Sequence, residues 1–402
     1  MSHHSFNGPA ERSSRLGQAG PPLEDVPVRS TKPYAAIALA LAMTTSVLFK
    51  LTSYNAPFTG TQRAVTAAMQ ASVAASAVLI FLSRLRRRST LPMTDTQRAI
   101  IRPIAVFATI SLLWTNNRIQ TASTATLWWT LVAYKLPRQG EAALNRVWFI
   151  LTTLVFASIP LSLTSYGRLY SGLWTGAFSN PNETAIIGVL ASALLLESNG
   201  PKWGAFAATA TLIMCIGGGS RNGMIASSIL LVLCFGSARA YRYDNSILLV
   251  YAFVTSILSW FVVAGHAPRF VSAFASTLLR DRLGTWTDGW NAFLHSPLLG
   301  VGGGASRLEV SDSRLYLADT LGLFGFALSI YATIRLAVAN RRTQLPIFCL
   351  VAIGLSFVEA WMFAIGNVAS YVFWLSLISY ESGWVPRISW KHPTRPEFLT
   401  AP

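Results

Sequence analysis

The chain has 402 residues, 52% of them hydrophobic and 12% charged, with a formal net charge of +16 and a mean hydropathy of +0.45. Soluble domains carry about 25% charged residues, so the deficit excludes an ordinary soluble domain and points to a membrane. The basic excess does not mark a nucleic-acid binder, because no basic stretch is interleaved with exposed aromatics as a nucleic-acid groove requires.

Residues 1–34 are polar, rich in Pro, Ser and Gly, and carry both charge signs. They lack the apolar core of a cleavable signal and read as a disordered cytoplasmic tail, with His3-His4 too short to hold a metal. Apolar runs of helix-spanning length then recur. About twelve spans are expected: 35–51, 64–83, 99–114, 122–134, 147–163, 184–196, 203–216, 224–235, 247–264, 315–336, 345–365 and 368–380. The fourth, sixth, seventh and eighth are short, to be lengthened by flanking residues or partly re-entrant. Residues 35–382 form one all-α transmembrane domain, and 383–402 a second cytoplasmic tail. Cys215, Cys234 and Cys349 all lie in expected spans and form no CxxC pair, which leaves no disulfide framework or thiolate metal site.

The basic residues set the orientation. With the N-terminus inside, cytoplasmic loops hold Arg84, Arg86, Arg87, Arg88 and Arg98, then Lys135, Arg138 and Arg146, Lys202, Arg239 and Arg242, Arg335, Arg341 and Arg342. The inside tail carries Arg387, Lys391 and Arg395, whereas most outside loops carry one basic residue: Arg63, Arg118, Arg168, Arg221. The alternation follows the positive-inside rule and places both termini in the cytoplasm. One outside loop, about 265–313, departs from it with Arg269, Arg280, Arg282 and Arg307, and Arg314 stands at its end. A long loop crosses regardless of charge, so this is either a solvated loop or an anion site. Arginine suits the latter because its planar fork donates paired hydrogen bonds to phosphate.

Four patterns lie on the expected outer side. Asn180-Pro181-Asn182 precedes the sixth span, as a cap or a polar ligand. Ser220-Arg221 follows three glycines at a helix break, a flexible turn or an anion site at a helix start. Arg282, Trp286 and Trp290 share a face at four-residue spacing, as a helix lying on the membrane surface with its aromatics buried in lipid; Pro297-Leu298-Leu299-Gly300-Val301-Gly302 closes it. Asp312-Ser313-Arg314 leads into a span with Gly322-Leu323-Phe324-Gly325; Asp312 is a helix cap or a base for a hydroxyl. Glu359, inside the eleventh span, is either a site residue or one half of a structural pair, since acids at membrane depth are costly. Arg102 and Lys50 snorkel from span ends; His266 and His295 read as surface histidines, and Trp128-Trp129 as packing.

The order of these patterns resembles the O-antigen ligase and Wzy-type polysaccharide polymerase family of bacteria, over about Phe178 to Gly325. The resemblance implies an integral-membrane glycosyltransferase of the bacterial inner membrane with a GT-C-like helical bundle. Its substrate would be a glycan on a polyprenyl diphosphate such as undecaprenyl diphosphate, with no metal, cofactor or nucleotide sugar. Arg221 and Arg282 would bind the diphosphate and stabilise it as leaving group, and Asp312 would be the base for the acceptor hydroxyl. Asn180, Asn182, Ser220, Arg280, Arg307, Arg314 and Trp286 would line the substrate. Ligases of this kind tend to carry His where Asp312 stands, so the acid looks more like the polymerase branch. The expected activity is polymerisation of lipid-linked repeat units into exopolysaccharide or O-antigen on the periplasmic side. Transfer to a lipid or protein acceptor is the alternative, and a transporter or flippase a further one. Expected partners are the lipid-linked donor and acceptor, membrane lipid, and a chain-length regulator and flippase of the same pathway, with no nucleic acid.

Overall fold

A computed structural model describes residues 93–134, 140–164, 167–168, 172–178, 180–235, 284–302, 312–339, 345–365, 367–384 and 386. The first two expected spans, the ninth, the N-terminal tail, most of the C-terminal tail, and Arg280, Arg282 and Arg307 lie outside these residues. Among the described residues every regular element is helical, and the β-type pairing present is an isolated bridge between Arg168 and Trp174. This bears out the all-α class; a count of twelve spans stays an expectation.

A π-helical turn, Gln97–Ile101, runs into α1 (Arg102–Ile110) and a 3-10 turn, Ser111–Leu113. Then follow α2 (Arg118–Ala133), α3 (Gly140–Ser162), α4 (Pro181–Asn199), α5 (Pro201–Gly218) and α6 (Arg221–Phe235). The rest are α7 (284–295), α8 (Ser313–Ala339), α9 (Pro346–Ser356) and α10 (Val368–Glu381). By length and composition two stretches suit a bilayer crossing, Leu144–Ser162 in α3 and Ser313–Ala337 in α8.

The centre is α4. It packs against α3, α5, α6, α9 and α10, and every residue from Glu183 to Leu196 is buried. A helix apolar on all faces has no solvent side to offer, so its neighbours enclose it. Its apolar run is short, but the helix has 19 residues, about 28 Å at the helical rise. The extra length is polar and comes from its caps: Asn180 Oδ1 accepts from Asn182 N at 2.8 Å, Pro181 starts the helix, and Gly200 ends it. The helices at the fourth, seventh and eighth short runs are likewise lengthened by flanking residues.

The eleventh expected span, 345–365, is a helix only as far as Ser356. Beyond it the backbone is irregular yet buried, with Val358, Trp361, Met362, Phe363 and Ile365 all inside. Non-helical backbone persists in an apolar setting only where protein groups satisfy it. Ser313 Oγ donates to Glu359 O at 2.8 Å and accepts from Met362 N at 3.1 Å. Ser370 Oγ and Trp374 Nε1 both donate to Met362 O, at 2.8 and 2.7 Å. Glu359 is therefore a half-exposed residue of this turn and not a mid-helix acid.

Helix ends gather in two sets. At one, acids from C-terminal ends serve the N-termini of other helices. Glu197 Oε1 of α4 accepts from Ile347 N at 2.6 Å and Phe348 N at 3.4 Å, at the start of α9. Glu381 of α10 accepts from Thr96 N at 2.9 Å and Thr96 Oγ1 at 2.6 Å, ahead of α1. Gln97 Nε2 meanwhile donates to the last carbonyls of α2, Leu131 O at 2.7 Å and Tyr134 O at 2.6 Å. These acids sit where their own helix dipole disfavours them, and free amides of a neighbour compensate. Glu197→Leu strands the α9 amides, and we expect a loss of about 1–3 kcal/mol. Glu197→Gln keeps an acceptor and loses less. Thermal unfolding of the purified full chain measures both, and a Leu variant as stable as the Gln variant would contradict the capping role.

Candidate active site

The other set of ends joins the starts of α4, α6 and α8 with the ends of α5 and α9. At the close of α5, Gly219 takes φ 68°, and Ser220 N turns back to Cys215 O at 3.0 Å. A side chain would resist that left-handed turn. Ser220 is buried, and its carbonyl accepts the first bond of α6 from Met224 N at 2.9 Å. Arg221 is thus the first residue of α6 and is exposed at the N-terminal, amide-bearing end of that helix. The start of α4 adjoins this turn: a Cβ placed on Gly218 would lie 3.0 Å from Pro181 Cβ. Asn180 is exposed with its carboxamide oxygen used as cap, and Asn182 is half-buried. The two helix starts carrying Asn180-Asn182 and Ser220-Arg221 are therefore neighbours.

At the start of α8 the arrangement is tighter. Asp312 Oδ1 accepts from Arg314 N at 2.7 Å, Leu315 N at 3.0 Å and Arg314 Nε at 3.2 Å, while Oδ2 accepts from Arg314 Nη2 at 2.7 Å. Arg314 continues to the end of α9: Nη2 donates to Ser356 O at 2.8 Å and Nη1 to Ser356 Oγ at 3.3 Å. Its guanidinium carbon lies 3.4 Å from the centroid of the Phe357 ring. Both residues are 8% exposed. Asp312 is thus a cap and an ion-pair partner, with three donors on Oδ1 and Arg314 Nη2 on Oδ2. Arg314 spends four of its five N–H donors on protein. In this arrangement it ties α8 to α9, and Asp312 reaches a hydroxyl only if that tie opens.

Trp286 lies in α7, buried at 2% exposure, and its Nε1 has no hydrogen-bond partner among the described residues. The aromatic stripe of α7 does not face lipid. Trp290 and Phe293 pack on Phe326 of α8, with ring centroids 6.4 and 5.9 Å away. Apolar surface on α8 competes with the membrane for the same aromatic face and covers it. His295 is exposed at the end of α7.

Between α6 and α9 lies a small, shallow apolar groove. Ala226 and Ile229 line it from α6, and Leu350, Val351, Gly354, Leu355 and Val358 from α9 and the turn beyond it. Asn222, next to Arg221, is its polar lining residue. The groove links the two halves of the site, because Ser356, the partner of Arg314, sits between Leu355 and the turn. Among the described residues no cluster of His, Cys, Asp and Glu is arranged to hold a metal ion.

Residues 206–325 match a family model described as O-antigen ligase. In this segment the chain is similar to the O-antigen ligase family. The matched segment begins inside α5 and ends just beyond the break in α8. It contains Ser220-Arg221, α7 with the loop after it, and Asp312-Arg314, while Asn180 and Asn182 precede it. The family comprises membrane glycosyltransferase-like enzymes of ligase and polymerase type in the bacterial inner membrane, and the apolar helices here accord with it. No curated protein matches the sequence.

The structure thus brings together Asn180, Asn182, Ser220 and Arg221, and connects them through α9 to Asp312 and Arg314. Three residues escaped the sequence reading: Asn222 at the groove, Ser356 as partner of Arg314, and Asp319, buried at 2% in α8. Asn222 had a signal, standing beside Arg221 at a helix start. Ser356 had none, because its part depends on a helix ending where hydropathy continues.

Proposed function

We propose that this chain is a membrane glycosyltransferase that joins repeat units carried on polyprenyl diphosphate, at the outer face of the bacterial inner membrane. What supports the reading is the placement of Arg221: an exposed cation at a helix start, at the head of an apolar groove, inside the segment that matches the O-antigen ligase model. The set of ends holding Arg221 and Arg314 faces the periplasm, and the set holding Glu197 and Glu381 faces the cytoplasm. A donor of this class has an anionic diphosphate and a long apolar tail. The tail lies along the groove between α6 and α9, and the diphosphate stands at Arg221 with the first amides of α6.

In the reaction the acceptor hydroxyl forms a bond to the anomeric carbon while the bond from that carbon to the diphosphate oxygen breaks. The diphosphate leaves with the electron pair, and Arg221 and Arg282 stabilise its charge. The hydroxyl proton passes to a base; Asp312 takes that part once Arg314 has shifted towards the anion. Asn180, Asn182, Ser220, Arg280, Arg307 and Trp286 line the glycan side. The family description favours transfer to a separate acceptor, whereas an acid at position 312 favours polymerisation.

The lipid-linked glycan profile of cells carrying Arg282→Ala, at matched protein level, tests the reading. Single repeat units accumulating on the lipid, with polymer lost, are expected. Long polymer on the lipid that never reaches a final acceptor would make the chain a ligase. An unchanged profile would remove Arg282 from the site.

A further inference from the structure

The helix α8 is broken at Gly322, which takes φ 63° and ψ −150°, a region that residues with a side chain essentially never occupy. The loop after α7 sits in the break. A Cβ on Gly322 would lie 2.4 Å from Leu298 O, and one on Gly300 2.6 Å from Asp319 O. In an unbroken helix Leu323 N would donate to Asp319 O, and Thr320 O would accept from the residue after Leu323. Here Leu323 N donates to Pro297 O at 2.7 Å, and the vacated carbonyls are taken by the loop: Val301 N donates to Asp319 O and Gly302 N to Thr320 O, both at 2.9 Å. The loop has therefore replaced the helix's own bonds nearly one for one.

We propose that Gly322 and the loop 297–302 form a two-position latch. In one position α8 is broken and holds the loop. In the other, Gly322 adopts helical angles, α8 closes its own bond from Leu323 N to Asp319 O, and the loop leaves. Glycine alone is at ease in both conformations. The exchange loses few hydrogen bonds, since the released loop amides find water. The loop is also cheap to detach on its outer side, where Leu298 is 72% and Leu299 47% exposed. Straightening α8 moves Phe326, on which Trp290 and Phe293 rest, so α7 travels with the latch. On the glycosyltransferase reading, release opens the outer face for a growing glycan; the latch itself stands on the backbone geometry alone.

The test uses the full chain in lipid nanodiscs with spin labels at Leu298→Cys and Ile334→Cys, positions that are exposed, while Cys215, Cys234 and Cys349 are buried. Double electron–electron resonance is expected to give two distance populations. Gly322→Ala, which cannot hold the break, collapses them to one. Val301→Pro, which removes a loop donor without touching α8, enriches the same one. Hydrogen exchange supplies a second readout: in Gly322→Ala the amides of Val301 and Gly302 exchange at least about tenfold faster while Leu323 stays protected. A single distance population shared by all three chains overturns the latch. So does loss of protection at Leu323 together with Val301 and Gly302, which would show that Gly322 serves only a fixed fold.

Discussion

Arg221→Ala is expected to slow glycan transfer by about 10²–10³-fold, the range seen when one donor to a developing negative charge is removed, with thermal stability unchanged. The side chain is exposed at the first position of α6, so its loss leaves no buried group behind. Arg221→Lys should recover only part of the rate, because an ammonium offers a point charge and no fork for two phosphate oxygens. Transfer from a purified lipid-linked donor by the full chain in nanodiscs measures both variants. Equal rates for wild type and Arg221→Ala would take Arg221 out of the site.

Arg314→Ala is expected to act in the opposite way, through stability. The Asp312–Arg314 pair is 2.7 Å long with side chains 11% and 9% exposed, and removing one partner of a buried pair costs about 3–5 kcal/mol. The loss also frees Ser356 O at the end of α9 and uncovers the Phe357 ring. The double variant Asp312→Asn with Arg314→Met should be more stable than Arg314→Ala alone, since it leaves no buried charge and keeps an acceptor for the first amides of α8. Denaturant titration in detergent reads the difference. An Arg314→Ala chain that is as stable as wild type but inactive would instead make Arg314 a ligand of the diphosphate.

The two arginines show what a sequence can and cannot convey. Both follow a small polar residue at the mouth of an apolar run, and charge alternation places both on one side. What separates them is burial: Arg221 is exposed, whereas Arg314 is enclosed with a carboxylate and a carbonyl on its guanidinium. For Arg314 those partners are Asp312, two residues away and legible as a cap, and Ser356, forty-two residues on and silent. The helix interiors were legible because hydropathy alone sets them, and the polar caps of α4 explain why its apolar run looked short. The end of α9 was not legible. The apolar run continues to Ile365, and only the hydroxyls of Ser313 and Ser370 and the indole of Trp374 decide that the backbone leaves the helix. Likewise Pro297–Gly302 and Gly322–Gly325 read as separate motifs, although each is shaped to fill the other. The π-face of α7 was assigned to lipid because nothing local announces Phe326.

The crossed glutamates have a consequence for how such a chain is made. Glu197 meets its amide partners 150 residues further along, and Thr96 waits 285 residues for Glu381. A ribosome therefore delivers α4 with an acid that has no acceptor-hungry amides beside it until α9 follows, and the oldest described helix keeps an unserved N-terminus until α10 is inserted. Assembly of this bundle is completed from its C-terminal end backwards. A nascent chain stalled before α9 should be held by insertases or degraded, and one stalled before Glu381 should remain loose at its first helix however well its middle has packed.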